Sequence, residues 1–369
     1  MDGNSSSGGG SLNISKLDNF TRALLTGRLT TVALPTIYVL VFAVTLPSSV
    51  AALLMRGTRS FKPGAGRAAD AAAAAAGRRP SPTSIYILNL AAVDLAFVIF
   101  LPLQIAYHYG GNHWPFGRFL CHAVTALLYL NTHCSIYFLA CISVDRYLAV
   151  LHPHGFHRLR SGRFAAGACA ATWALMVLAT APLHAVDLTR RVPELGVTTC
   201  YDVFPKSDAV VTFFQVYCVV FFLVIFLLPF CVTVFCYVSV IRELAKGGGG
   251  GSGGTAGGGG GGAKVGNFRR RAMRLSAVVL LMFVTCFAPC NCVLLAHALL
   301  NWIRGSSGLY GVYRLTLAFS SLSACLDPFV FYFSSYEFRR AVRRLFRRGS
   351  YSGAEVSSQE HEATSNSKV

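Results

Sequence analysis

Three carboxylates stand where a carboxylate is expensive. Asp94, Asp145 and Asp327 each fall inside or at the end of a long apolar run, and Arg146 and Tyr147 follow Asp145 directly. An ionisable group in an apolar stretch is kept only with a partner or a task. Asp145 and Arg146 offer opposite charges side by side, suited to a charge-assisted pair that Arg146 can later leave. Asp94 and Asp327 suggest other chemistry. Two carboxyls brought together cannot both ionise cheaply, so they would share a proton or a cation.

Such residues need elements that hold them at defined depths, and the composition says which. Hydrophobic residues make up 54% of the 369 and charged residues 13%, with a mean hydropathy of +0.52. A soluble domain carries roughly a quarter of charged residues. A soluble enzyme, a fibrous protein and a wholly disordered chain are excluded. Apolar runs cover 29–55, 83–108, 119–151, 164–186, 209–241, 273–301 and 310–334, each long enough for the ~20 residues of a membrane helix. Alternating segments able to close a barrel are missing, so helices must satisfy the backbone in lipid. The fold class is an all-α membrane protein with a seven-transmembrane helix bundle. Asp94 lies in the second span, Asp145-Arg146-Tyr147 closes the third, and Asp327-Pro328 interrupts the seventh. Pro182, Pro229 and Pro289 break the fourth to sixth, creating kinks where segments can swing.

Charge predicts the orientation. Of the 33 Lys and Arg, 24 fall in the first, third and fifth connections and the C-terminal tail. Positive charge stays on the cytoplasmic side, so the N-terminus is expected outside. The net charge of +18 then reads as a collar facing anionic headgroups rather than a nucleic-acid surface. Residues 1–28 fit an extracellular glycosylated segment, with acceptors at Asn4, Asn13 and Asn19. They lack the apolar core of a cleavable signal peptide, so the first span is expected to direct insertion. Ten of the twelve cysteines lie in or at the margins of the spans, where they behave as small apolar residues. Cys121 and Cys200 fall on the oxidising side, where a disulfide persists, and a bridge between them would pin a loop over the bundle mouth.

Rival chemistries fail on particular residues. The Gly-rich tract inside 247–267, the third cytoplasmic loop, lacks the Gly-Lys-Ser/Thr ending of a phosphate loop and reads as an unstructured expansion. A retinal-binding pump needs a lysine in the seventh span, and every Lys lies outside the spans. An intramembrane zinc hydrolase needs three or so ligands at one depth, but His108, His133, His184 and His297 show no paired spacing.

The whole pattern resembles the rhodopsin-like class of G protein-coupled receptors over roughly residues 29–348. The matching residues are Leu90, Asp94, Cys121, Asp145-Arg146-Tyr147, Trp173, Cys200, Pro229, Tyr237, Phe283, Cys286-Phe287-Ala288-Pro289 and Asp327-Pro328. The stretch Phe338 to Phe346, with Arg339, Arg340, Arg343 and Arg344, resembles the family's short amphipathic helix on the inner membrane surface, expected over 335–348. Within the class, Tyr129-Leu130-Asn131, Phe283 to Pro289 and Asp327-Pro328-Phe329 look like the metabotropic (P-two-Y) purinoceptor branch. The runs Val293 to His297 and Val312 to Leu317 are most similar to the eighth member of that series.

The resemblance implies a receptor rather than an enzyme, with heterotrimeric G proteins, receptor kinases and arrestin as partners. It implies that the sixth span swings about Pro289, with Phe287 and Phe283 as levers, and exposes Arg146 to a G protein. Tyr237, Pro328 and Phe331 complete that activation set. Asp94, Ser135, Ser323 and Asp327 resemble the family's sodium pocket, a structural Na+ being the one cofactor implied. The eighth member points to an anionic, lipid-like ligand and to the Rho-activating twelve/thirteen class of G proteins. Tyr107, His108, Arg118, Tyr129, Arg190, Arg191, Asn291, His297, Tyr313 and Arg314 form a cationic, aromatic ligand set suited to an anionic headgroup.

The sequence also departs from the family. Asn291 and Leu294 stand where nucleotide-sensing members carry a His and a basic residue, and no Cys occurs in 1–28 or 301–308 for their second disulfide. Ser48-Ser49 replaces Gly-Asn, and Phe331 replaces a tyrosine. Tyr332 follows, but one residue turns a helix by about 100°. A non-signalling scavenger receptor of the same fold and a nucleotide-sensing purinoceptor therefore stay open as alternatives. Residues 349–369 are rich in Ser and Glu and read as a disordered tail with sites for kinases and arrestin. Its end, Ser367-Lys368-Val369, matches what a PDZ domain captures.

Overall fold

The computed structural model describes residues 26–60, 81–152, 155–185, 187–200, 208–246, 273–304, 309–334 and 338–339. Seven helices among them are long and apolar enough to cross a membrane. They are α1 (Thr30–Leu54), α2 (Pro82–Tyr109), α3 (Gly117–Leu151), α4 (Gly162–Leu183), α5 (Gln215–Glu243), α6 (Met273–Ile303) and α7 (Gly311–Ser334). The expected spans are all present, and their ends move by only a few residues. Local chemistry sets several boundaries. Ser81 caps α2 by accepting the Ser84 N–H at 3.3 Å, with Pro82 in the first turn where its missing N–H costs nothing. Ser161 caps α4 through the Phe164 N–H at 3.2 Å.

Prolines shape the middle of the bundle. The turns before Pro229 and Pro289 widen into π-helix over Phe222–Leu227 and Phe283–Phe287. Leu228 N–H bonds the Leu223 carbonyl and Ala288 N–H bonds that of Phe283. A proline ring crowds the carbonyl four residues back and offers no donor. Five-residue bonds re-pair the freed backbone, which lipid would not hydrate. Helix α7 breaks instead at Ser321 and Leu322, whose N–H groups reach back only three residues, to Ala318 at 3.2 Å and Phe319 at 3.1 Å.

Packing runs as a ring from α1 through α2, α3, α5, α6 and α7 back to α1, with α4 outside α2 and α3. The core lies around α3, where Cys134, Ile136, Phe138, Leu139 and Ile142 are fully buried. Lipid gives helices no hydrophobic reason to associate, so close packing and cross-helix hydrogen bonds hold the bundle. Trp173 donates to Asn89 Oδ1 at 3.1 Å, Tyr137 to the Val224 carbonyl at 2.8 Å, and Tyr217 to the Ala179 carbonyl at 2.5 Å.

One element differs from the all-helical expectation. Residues Thr189–Val192 (β1) and Val197–Cys200 (β2) form an antiparallel hairpin, with Thr189 opposite Cys200 and Val192 opposite Val197. Gly196 turns it at φ +65°, where a side chain is strained. The Cys121–Cys200 disulfide, with Cα atoms 5.7 Å apart, fastens β2 to the start of α3. The Trp114 N–H adds a bond to the Thr198 carbonyl at 2.7 Å. This marks the hairpin end of the bundle; Asp145-Arg146-Tyr147 marks the opposite end.

Candidate functional site

Functional side chains fall in three layers, the first at the end away from the hairpin. Arg146 Nη2 donates to Asp145 Oδ2 at 2.7 Å. Thr83, from the first turn of α2, donates to the same oxygen at 2.5 Å and accepts from Arg146. Sequence reasoning missed Thr83, which is 62 positions from Asp145 and carries no signal of its own. Asp145 is 8% exposed and Arg146 25%, so the carboxylate is fixed while the guanidinium keeps a route to solvent. Tyr147 approaches His152 at 3.5 Å and packs against Phe235 of α5. Tyr237 is buried on α5, its hydroxyl without a hydrogen-bond partner.

A carboxylate pocket fills the middle layer. Asp94 Oδ1 accepts from Asn131 Nδ2 at 2.8 Å, while Asp94 Oδ2 and both Asp327 oxygens have no hydrogen-bond partner. The two carboxyls lie close enough to interact directly. The hydroxyls of Ser135 and Ser323 and Asn131 Oδ1 are likewise buried and unpaired, as is Ser49 Oγ on α1. A cluster of unpaired buried oxygens needs an explanation. A hard monovalent cation, which takes oxygen ligands, fits this set. Sequence reasoning missed Asn131 as a member of the pocket; its place one helical turn before Ser135 was the available signal.

The levers lie on α5, α6 and α7. Phe230 of α5, Phe283 and Phe287 pack in sequence, the first pair tilted and the second edge-on, with centroids 5.8 and 5.6 Å apart. Phe283 and Phe287 bound the π turn just before Pro289. Phe331 is fully buried and meets Phe338 edge-on at 5.9 Å. Arg339 donates to the Tyr332 and Phe333 carbonyls at 3.1 and 3.0 Å, satisfying the end of α7. The rest of the expected 335–348 helix lies outside the described residues, as do Asn4, Asn13, Asn19, the 247–267 loop and the 349–369 tail.

The hairpin end holds the expected ligand set, divided into two groups. Tyr129 of α3 and Tyr313 of α7 bring their hydroxyls together across the bundle. One turn deeper, Thr132 meets Ser320 at 3.2 Å. Asn291 donates to the Phe287 carbonyl at 2.9 Å, and His297 pairs with Asn301 at 3.1 Å. Arg118, Arg190, Arg191 and Arg314 are all at least partly solvent-accessible. Tyr107 and His108 do not join them. His108 is buried against Tyr38 with Nδ1 2.7 Å from Asn112 Oδ1, and Tyr107 packs on Trp114 beneath Cys200. The turn after α2 folds back over both.

Asp187 brings an acidic group to this basic end. Asp187 Oδ2 lies 3.7 Å from Arg118 Nη1, and its Oδ1 accepts from Thr189 N–H at 3.1 Å and Thr189 Oγ1 at 2.8 Å. Burial alone would raise its pKa. The Thr189 bonds and the charges of Arg118 and Arg190 outweigh that and hold the carboxyl below its ordinary range.

The family model described as "7 transmembrane receptor (rhodopsin family)" matches residues 71–331. This chain is a rhodopsin-family seven-transmembrane receptor. The receptor is 41% identical over 327 residues to the human S-geranylgeranyl-glutathione receptor, covering 88% of this chain and 82% of that one. It is 36% identical to the chicken purinoceptor 8 of the P-two-Y series, covering 91% and 85%. It is 37% identical to human proteinase-activated receptor 2, covering 88% and 74%. The receptor is therefore a multi-pass protein of the plasma membrane that couples an extracellular ligand to heterotrimeric G proteins. It is not an enzyme.

Proposed function

We propose that the receptor answers to an amphipathic anion of the lipid-conjugate type and activates the twelve/thirteen class of G proteins. The observation that carries this reading is the hairpin end itself. Arg118, Arg190, Arg191 and Arg314, all at least partly accessible, share that end with the joined tyrosines of α3 and α7, and α6 carries Leu294 toward the same end. Arginines suit a carboxylate or other anionic headgroup, and the apolar wall suits a chain. The likeness to a receptor named for S-geranylgeranyl-glutathione supports the same class, since that molecule joins an acidic peptide to an isoprenoid. Asn291 gives one side-chain N–H to its own helix and carries no charge, which supports a non-nucleotide ligand.

The hairpin end faces outward in this reading and the Asp145 end faces the cytoplasm. The disulfide and the basic connections at the opposite end support that orientation. Asp94, Asn131, Ser135, Ser323 and Asp327 would hold Na+, which when bound would offset one carboxylate charge of the acid pair and favour the resting packing. The agonist favours the other arrangement by its differential affinity. Helix α6 then swings about Pro289, and Arg146 leaves Asp145 and Thr83 for the G protein. Kinases and arrestin act on the tail, and a PDZ domain takes Val369. Phe331 and Ser49 support a second reading, uptake without signalling.

Cells carrying Rho and cyclic-AMP reporters test the proposal, with S-geranylgeranyl-glutathione as probe and nucleoside diphosphates as the contrast. The expected result is a Rho response to the conjugate and none to the nucleotides. Uptake without any G protein response would favour the scavenger reading.

A further inference from the structure

The hairpin carries its own anion. Asp187 leads into β1, three residues before the Arg190-Arg191 pair. One carboxylate oxygen is held by Thr189, and the other faces Arg118 of α3 at 3.7 Å. Arg190 interacts with the same carboxylate, and its buried Nε has no hydrogen-bond partner. Glu194, the other hairpin carboxylate, sits in the turn between β1 and β2, at the far end of the hairpin from Asp187. We propose that Arg118 and Arg190 form an anion subsite that Asp187 occupies in the resting receptor, as a built-in competitor which the ligand's acidic group must displace. This rests on the reading of the ligand as an anion.

The contact is built to be exchanged. The Arg118 and Asp187 side chains are 63% and 40% exposed, and exposed pairs are weak, typically about 0–1 kcal/mol. An acidic group that brings further contacts can therefore replace Asp187, whereas a neutral lipid cannot repay the lost pair. The hairpin is pinned through Cys200, so Asp187 stays close after displacement. Its competition is intramolecular and acts as a fixed threshold on potency. Displacement also removes the ion pair that ties the segment before β1 to α3.

Asp187→Asn tests the inference cleanly, because the amide oxygen can still accept both Thr189 bonds while the charge disappears. With S-geranylgeranyl-glutathione as probe, potency should rise about three- to fivefold, the scale of one or two exposed ion pairs. Raising salt should narrow the gap between variant and wild type, since screening weakens the internal pair. Glu194→Gln removes the same charge from the same hairpin and should leave potency unchanged. Arg118→Gln in the Asp187→Asn background should cancel most of the gain. Unchanged or weakened potency in Asp187→Asn at normal surface level would overturn the proposal, as would an equal gain in Glu194→Gln. A wild-type receptor that ignores the probe altogether would instead sink the anionic-ligand reading, and with it this one.

Discussion

Two carboxylate sites share the bundle, and they are finished differently. At the end away from the hairpin, Asp145 is satisfied twice over, by Arg146 and by Thr83. In the middle, Asp94 and Asp327 keep three oxygens without partners, surrounded by serines in the same condition. A buried carboxylate held by both a cation and a hydroxyl keeps an arrangement in place. A buried cluster with unpaired oxygens is arranged to receive something. The first site therefore reads as a clasp and the second as a receptacle. The levers Phe283 and Phe287 belong to α6, and the break in α7 directly precedes Ser323 of the receptacle.

Removing the moving half of the clasp should have the largest effect. Arg146→Ala is expected to cut G protein activation by about tenfold or more, given that a bond to a charged group contributes roughly 1.5–3 kcal/mol. Surface level and ligand affinity should stay near wild type, measured by antibody staining and labelled-ligand binding. Retained signalling would mean that the clasp is only structural.

The receptacle comes next. Sodium in the medium should lower agonist affinity by about fivefold or more, the scale of a typical coupling between two sites. Asp94→Asn, which can keep the Asn131 contact, should abolish that dependence. A sodium effect surviving in this variant would make the unpaired oxygens a packing feature and erase the contrast.

Thr83 sharpens the other side of it. Thr83→Ala removes one hydroxyl that both accepts from Arg146 and donates to Asp145. A single hydrogen bond nets about 0.5–1.5 kcal/mol, so ligand-independent GTP exchange should rise about two- to fivefold. Ser135→Ala, made in the receptacle, should leave it unaltered unless sodium is varied. The smallest effect belongs to the tail. One Gly added after Val369 should remove PDZ partners from pull-downs and leave GTP exchange unchanged, since it displaces only the terminal carboxylate.

The sequence showed these sites unevenly, for physical reasons. Apolar runs some 20 residues long cannot be mistaken for anything but spans, so all seven helices were legible, as was the Cys121–Cys200 bridge. The acid pair was legible because a carboxylate in lipid is conspicuous. The partners that define each site were not. Thr83 and Asn131 are ordinary residues in ordinary positions until the fold brings α2 against α3. The π turns at Phe222–Leu227 and Phe283–Phe287 left only the prolines as a trace. The hairpin was within reach, since Thr189 to Val192 and Val197 to Cys200 carry β-branched residues at or near both ends around Pro193-Glu194-Leu195-Gly196. Two four-residue strands give too short a pattern to stand out beside spans of about 20 residues and more. Tyr107 and His108 belong by residue type to the cationic, aromatic set, and only the fold shows the turn after α2 packing over them.

The most direct test is GTP exchange by the purified receptor in lipid nanodiscs against a panel of Gα subunits, with the lipid-conjugate probe and its binding measured in parallel. The account predicts saturable binding together with exchange on the twelve/thirteen subunits, lost in Arg146→Ala while binding persists. Saturable binding with no exchange on any subunit would contradict it.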